Sequence, residues 1–185
     1  GVNYMGTWLL TNWLLPNMGR SGRSRIINTS SVTCKMGKVG DHFFALDPEH
    51  YRRFKAYPDS KLAILMFTTE LARRLQGRAI TVNAVDPGVV NTGMITMHRW
   101  YDPLADIFFR PFIKSPERGA MTAILLATSD RYANVSGGFF KSKRQVGLPQ
   151  SALDVEACRK LWSQTEQFVA ELVRSKLKKG ENEGR

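Results

Sequence analysis

Cysteine, histidine and long apolar runs are scarce in this sequence. Its 185 residues include two cysteines and three histidines, which is too few for a framework of disulfide bridges. No histidine is spaced as a zinc-ligand pair with either cysteine, so we expect no metal site and two free thiols in a reducing compartment. No apolar run reaches the roughly 18 residues that a membrane-spanning helix needs.

Acidic side chains are also few, 16 against 27 lysines and arginines, and the resulting net charge is +11. Such a charge is compatible with nucleic acid, an anionic membrane or a small anionic ligand as partner. The basic residues are dispersed, however, and no basic stripe carries the interleaved aromatic side chains of a nucleic-acid reader. We therefore expect no nucleic-acid partner. The length of 185 residues fits one domain, and the 43% of hydrophobic residues argue against disorder.

Apolar patterning and turn residues predict helices that alternate with strands. Helices are predicted over 2–18, 57–75, 115–128 and 154–174, and strands over 25–30, 79–85 and 137–140. Alternation of this kind is typical of a parallel sheet with helices on both faces, an α/β architecture. The first helix is apolar on most sides, which predicts burial on most sides. Three strands make half of a doubly wound parallel sheet. We therefore expect its N-terminal half to be missing, with the C-terminal portion of one domain over 1–174 and a loose, polar, basic tail over 175–185.

Tyr57 and Lys61 stand four residues apart at the start of a predicted helix, so they share one helix face. An ammonium group beside a phenol favours the phenolate, which predicts a lowered pKa for Tyr57. Helices tolerate proline in their first turn, so Pro58 predicts that Tyr57 lies near the positive end of the helix. Both effects would make Tyr57 a useful general acid and base.

A second pair with the same spacing, Tyr51 and Lys55, precedes the apolar pattern, and we interpret it as solvated surface. The context of Tyr57 is different. Ser30-Ser31 ends the predicted strand before it, and Pro87-Gly88 follows the predicted strand after it. In open α/β sheets, ligands bind at the carboxyl ends of the strands. The sequence therefore predicts one converging site around Tyr57.

Four blocks of the sequence carry a family resemblance. They are Val2-Asn3-Tyr4-Met5-Gly6, Arg25-Ile26-Ile27-Asn28-Thr29-Ser30-Ser31, Tyr57-Pro58-Asp59-Ser60-Lys61-Leu62-Ala63 and Asp86-Pro87-Gly88-Val89-Val90-Asn91-Thr92. In this order they resemble the short-chain dehydrogenase/reductase family, and most of all its retinol-dehydrogenase-like branch. The resemblance implies a Rossmann-type fold and an NAD(P)-dependent oxidoreductase that interconverts an alcohol and a carbonyl, with NADP(H) slightly favoured over NAD.

The resemblance also implies a role for each matched residue. Tyr57 would exchange a proton with the substrate oxygen, while Lys61 would bind the nicotinamide ribose and hold the tyrosine pKa down. Ser31 would orient the substrate oxygen, with Ser30 as the alternative one position away. Asn3 would lie in a helix kink and hold a water that links Lys61 to solvent. Besides Tyr57 and Lys61, the residues that would contact the cofactor are Pro87, Gly88, Val90 and Thr92.

Substrate and partners are implied less directly. The segment 100–112 would form the family's substrate lid, and its aromatic side chains indicate an apolar substrate such as a retinoid, a steroid or a lipid aldehyde. The run 107–112 is also compatible with contact with a membrane surface. Helices around Met5 and Met66 would meet their counterparts in a homodimer. We expect an intracellular location, in the cytoplasm or at the endoplasmic reticulum membrane.

The family's glycine-rich phosphate turn has no counterpart here, because no Gly-x-x-x-Gly-x-Gly follows any predicted strand. The residue that selects NAD or NADP also has no counterpart. These departures leave two alternatives to an active oxidoreductase. One is an inactive or truncated relative that acts as a scaffold or interaction protein. The other is a basic module that binds membrane surfaces.

Overall fold

Four strands of the described residues form one sheet. The computed structural model describes residues 2–20, 22–44, 51–88, 90 and 115–183. In spatial order the strands are β1 (Ser24–Thr29), β2 (Ile80–Asp86), β3 (Phe139–Lys141) and β4 (Arg144–Val146). The first three are parallel, with Ser24 opposite Ile80 and Ala84 opposite Phe139. The short β4, which runs antiparallel to β3, has no counterpart among the predicted strands.

Helices precede, separate and follow the strands. They are α1 (Thr7–Leu14), α2 (Arg53–Arg74), α3 (Pro116–Thr128), α4 (Gln150–Leu153) and α5 (Val155–Glu183). A π-helical turn (Val2–Gly6) leads into α1, a 3₁₀ turn (Leu15–Asn17) ends it, and further 3₁₀ turns cover Val32–Met36 and Asp130–Tyr132. Ser115 caps α3 as predicted, since its Oγ accepts a hydrogen bond from the Arg118 amide.

Both faces of the sheet are covered. Alternate side chains of a strand point to opposite faces. Accordingly, Val82 and Ala84 of β2 belong to a larger core with α1, α2 and α5, whereas Val85 belongs to a second core with α3. The last helix links the two ends of the chain within the larger core, because the Tyr4 hydroxyl lies 2.8 Å from Thr165 Oγ1 of α5. The predicted layout, a mainly parallel sheet between helical layers, is confirmed.

Helix α2 begins four residues earlier than the sequence predicts. The amides of Lys55 and Ala56 both donate to the Arg52 carbonyl and close a first turn ahead of Tyr57. Pro58 is therefore the sixth residue of the helix, where its missing N–H costs one hydrogen bond. The prediction that Tyr57 lies at the positive end of the helix is wrong, because the dipole effect falls off within the first turn.

Helix α1 is less buried than its apolar composition predicts. Trp8 packs in the core, but Trp13 is 81% exposed, and Leu10 and Leu14 are also exposed. Only one stripe of the helix faces α2 and α5 in this chain. The prediction of burial on most sides is wrong for the chain as described.

Helix α5 is longer than predicted. Asp154 Oδ1 caps its start by accepting hydrogen bonds from the amides of Glu156 and Ala157, and the helix continues to Glu183. The polar composition of 175–183 predicts a loose tail. Lysine, leucine and glutamate, which make up most of this segment, are nevertheless good helix formers, so the helix continues past its last buried turn. The prediction of a loose tail from 175 is wrong as far as Glu183.

The turn between β3 and β4 carries backbone strain. Ser142 and Lys143 have φ angles of 47° and 63°, the left-handed pair that a two-residue hairpin requires and that glycine adopts at little cost. We expect Lys143→Gly to raise the free energy of unfolding by about 0.5–1 kcal/mol, as measured by urea denaturation. Lys143→Ala removes the same charge but keeps the Cβ, so it should bring no gain. An equal gain in both variants would assign the effect to charge instead.

Candidate active site

The structure brings Tyr57 and Lys61 together on one face of α2, beside the end of β1. Lys61 Nζ lies 5.5 Å from the centroid of the Tyr57 ring and donates a hydrogen bond of 3.0 Å to the Thr29 carbonyl. Burial lowers the pKa of the Lys61 ammonium. The Tyr57 side chain is 37% exposed. The Tyr57 phenol is thus accessible to a ligand, and the Lys61 amine beside it is held in place by its hydrogen bond to β1.

The two serines after β1 have different surroundings. Ser30 is buried, and its hydroxyl donates to the Lys61 carbonyl at 2.8 Å. Ser31 is half-buried, and its Oγ accepts a hydrogen bond from the Thr33 amide at 3.3 Å, which caps the 3₁₀ turn Val32–Met36. The Ser30 proton is used inside the protein. The Ser31 hydroxyl keeps a proton that it can donate to a ligand.

Asn3 reaches the site through a residue that sequence reasoning missed. It lies in the π-helical turn before α1, and its Nδ2 donates to Ser60 Oγ at 3.2 Å. Ser60 Oγ in turn donates to the Tyr57 carbonyl at 2.7 Å. Asn3 is therefore linked to the backbone of Tyr57. The available signal was the position of Ser60, three residues after Tyr57 on the same helix face.

A buried carboxylate holds the Pro87-Gly88 turn. Asp86 Oδ1 accepts a hydrogen bond of 2.9 Å from the Gly88 amide, and Gly88 has a φ of +80°, which favours glycine. The second oxygen of Asp86 lies 3.4 Å from Lys141 Nζ on β3. Sequence reasoning missed both supporting residues. An aspartate two residues before a turn glycine is a known turn signal. Its partner Lys141, on a distant strand, has no such signal in the sequence.

The remaining predicted contacts are only partly described. Val90 is half-buried and packs against α3, where a Cβ on Gly119 would lie 2.5 Å from Val90 Cγ2. Glycine at 119 thus allows α3 to approach the segment after β2. Thr92, the predicted lid over 100–112 and the run 107–112 lie outside the described residues.

The loop after β1 packs directly on the helix turn that carries Tyr57. A Cβ on Gly37 would lie 2.4 Å from the Pro58 carbonyl oxygen and 2.9 Å from Leu62 Cβ. The next residue, Lys38, donates its amide to Asp59 Oδ1 at 2.7 Å. Further along, Phe43 and Phe44 contact each other and the Tyr4 ring, and Phe44 stacks on Phe168 of α5.

This packing predicts a steric effect at Gly37. Its φ of −73° is open to alanine, yet the added methyl would collide with the Pro58 carbonyl. We expect Gly37→Ala to lower the free energy of unfolding by about 1–3 kcal/mol, as measured by urea denaturation. Gly40→Ala is the matched control, since a Cβ there meets no atom within 4 Å. Equal stability of the two variants would show that the loop adjusts freely.

The two cysteines, Cys34 and Cys158, are free and buried. Burial raises the pKa of each thiol, and the negative charge of Asp86 raises that of Cys34 further, so both are protonated at neutral pH.

Within the described ranges, no group of three or more acidic, histidine or cysteine side chains could hold a metal ion. Over the same residues, no helix has the length and apolarity needed to cross a membrane.

Known sequences resemble this chain along most of its length. The family model described as short chain dehydrogenase matches residues 1–99. Human retinol dehydrogenase 13 is 39% identical over 175 residues, which cover 91% of this chain and 53% of the relative. Human retinol dehydrogenase 14 is 40% identical over 173 residues, 91% of this chain and 51% of the relative. The chain thus spans about half the length of these relatives.

Solved structures share its architecture. A protein from Mycobacterium paratuberculosis superposes with a TM-score of 0.65 at 27% identity, over 89% of this chain and 56% of that one. A Beutenbergia cavernae chain, described as an NAD(P)-dependent gluconate 5-dehydrogenase with bound NADP, gives a TM-score of 0.59 at 25% identity, over 82% and 55% of the two chains. The Rossmann-type fold that the sequence predicts is confirmed.

Proposed function

The chain belongs to the short-chain dehydrogenase family, and from that premise we propose that it carries the catalytic centre of an NAD(P)-dependent oxidoreductase. The proposed reaction interconverts an alcohol and a carbonyl on an apolar substrate. A retinoid is the first candidate, because relatives named retinol dehydrogenases are 39% and 40% identical to this chain. One observation carries the proposal: Lys61 contacts the Tyr57 ring while it is anchored to the Thr29 carbonyl.

The proposed proton transfer uses groups whose surroundings suit it. In the direction of carbonyl reduction, the Tyr57 hydroxyl gives its proton to the substrate oxygen as negative charge develops there. Ser31 donates a hydrogen bond to the same oxygen, which stabilises that charge. The Lys61 ammonium then stabilises the phenolate left on Tyr57. In the direction of alcohol oxidation, the phenolate takes the proton back.

The residues present fit one end of a nicotinamide cofactor, which supplies or accepts the hydride when bound. Lys61 uses one of its three N–H donors on the Thr29 carbonyl, which leaves two for ribose hydroxyls. Gly88, with no side chain, allows a flat ring to approach the backbone. The choice of NADP over NAD has weaker support. It rests on the NADP that is bound in the similar Beutenbergia cavernae chain. A glycine-rich turn for the pyrophosphate does not occur in these 185 residues.

A homodimer through the helices around Met5 and Met66 is a further proposal. The Met66 side chain itself is buried in the chain's own core. The exposed apolar side chains Leu10, Trp13 and Leu14 on α1 support a contact through the first of these helices. A membrane contact through 107–112 stays a prediction.

The test is turnover by the intact protein that contains these residues. We expect NADPH-dependent reduction of all-trans-retinal, with kcat/KM at least tenfold above that for glyceraldehyde, a small polar aldehyde. The tenfold margin is modest, because burial of a few methylene groups in an apolar pocket is worth that much. Folded protein that binds NADPH but reduces neither aldehyde would support the alternative, an inactive relative that acts as a scaffold.

A further inference from the structure

An open cavity of about 550 Å³ lies at the amino ends of β1 and β2, the opposite end of the sheet from Tyr57. Its walls come from the end of α2, the start of β2, the loop over 133–137 and the junction of α4 and α5. Sites for small molecules in proteins have volumes of roughly 300–1,000 Å³. None of the lining residues belongs to the Tyr57 site, so the cavity is independent of the proposed reaction.

The charged side chains that line this cavity are all arginines: Arg23, Arg73 and Arg78. Arg23 and Arg78 precede neighbouring parallel strands, which are held together there by a 2.9 Å hydrogen bond from the Ser24 amide to the Ala79 carbonyl. The two arginine side chains are exposed, and over the described ranges neither has an ion pair or hydrogen bond. Two cations without counter-charges therefore stand at the rim of one cavity.

The third arginine has its charge partly satisfied. Arg73 pairs with Glu70, a buried carboxylate that also accepts a 2.7 Å hydrogen bond from Arg74 Nε. One carboxylate thus faces two guanidinium groups, and this cluster keeps a net positive charge. Glu70 does not line the cavity, and among the described residues no other acid does. The lining carries no negative charge that would repel an anion.

The rest of the wall is mixed. Leu75, Ile80 and Leu153 give it an apolar side, and Leu153 is largely exposed. Thr81 also lines the cavity.

We propose that this cavity binds the phosphate monoester of a small, partly apolar molecule. Guanidinium groups bind phosphate oxygens through paired hydrogen bonds, and Arg23 and Arg78 are the free pair. The apolar side would hold the organic part of the ligand. Inorganic phosphate offers the same charge without that part, and a neutral analogue offers the organic part without the charge.

The test is calorimetry on the 185-residue chain with three probes: phenyl phosphate, inorganic phosphate and phenol. We expect phenyl phosphate to bind, inorganic phosphate to bind at least about fivefold more weakly, and phenol not to bind. Equal affinity for phenyl phosphate and inorganic phosphate would overturn the role of the apolar side. Absence of phenyl phosphate binding at millimolar concentration would overturn the site itself.

Variants separate this cavity from the general positive charge. Arg23→Gln and Arg78→Gln should each weaken phenyl phosphate binding about tenfold. Arg159→Gln makes the same change of charge on the exposed surface of α5, outside the cavity, and should leave the affinity unchanged. Equal losses in all three variants would show attraction to the net charge alone and contradict the proposal. Circular dichroism of each variant confirms that its fold is retained.

Discussion

Tyr57→Phe in the intact protein is expected to lower kcat for retinal reduction by about 10²–10⁴-fold, the usual contribution of a positioned general acid. The substitution removes one oxygen and its proton and leaves the ring, so its contact with Lys61 at 5.5 Å is kept. The dissociation constant of NADPH should stay within about twofold, because the lost hydroxyl acts on the substrate oxygen. Steady-state kinetics and fluorescence titration measure the two quantities.

Tyr51→Phe is the matched control. Tyr51 has the same four-residue spacing to a lysine, but it lies before α2 and is 67% exposed. This variant should retain the activity of the parent protein. If Tyr57→Phe kept more than a tenth of the parent kcat, the assignment of the proton donor would be wrong. If both variants lost activity equally, the effect would not be specific to Tyr57.

Phe67→Ala is expected to lower the free energy of unfolding by about 3–5 kcal/mol, the usual cost of deleting a buried phenyl group and leaving a cavity. Phe67 lies near the middle of α2 and is 2% exposed. Its ring stacks on Trp162 of α5 at 5.6 Å between centroids and meets the edge of Tyr4 at 6.4 Å. The deletion would remove contacts with the π-helical turn before α1 and with α5 together.

Phe54→Ala provides the comparison on the same helix. Phe54 is 89% exposed, so its replacement should change the free energy of unfolding by less than about 0.5 kcal/mol. Urea denaturation followed by far-ultraviolet circular dichroism measures both variants. A loss below about 1.5 kcal/mol for Phe67→Ala would mean that the core repacks around the missing ring, and would contradict a central role of Phe67 in the core.

The sequence was most informative where structure depends on local pattern. Strands β1 and β2 and the Ser115 cap follow from β-branched runs and a capping residue, which act over a few positions. The pairing of Tyr57 with Lys61 follows from helical spacing in the same way. The start of α2 does not, because proline in the sixth helical position contradicts the local rule and is offset by the packing of the helix.

The residues that hold the candidate site in place could not be predicted from local sequence pattern. The hydrogen bond from Asn3 to Ser60, which links Asn3 to Tyr57, spans 57 positions of sequence. Lys141 contacts Asp86 from a different strand. Such contacts depend on how the elements are placed relative to one another, which propensity and periodicity do not encode. The antiparallel β4 was missed for a related reason, since three residues are too few to show a period.

The contact of Tyr4 with Thr165 has a consequence for how the chain folds during synthesis. Tyr4, Phe67 and Trp162 share one core, and α5 supplies the last of these rings. Loop-closure entropy makes such distant contacts slow to form. The emerging polypeptide therefore leaves the ribosome with Tyr4 and Phe67 only partly covered until α5 follows. During that interval these aromatic side chains are open to chaperones and to aggregation.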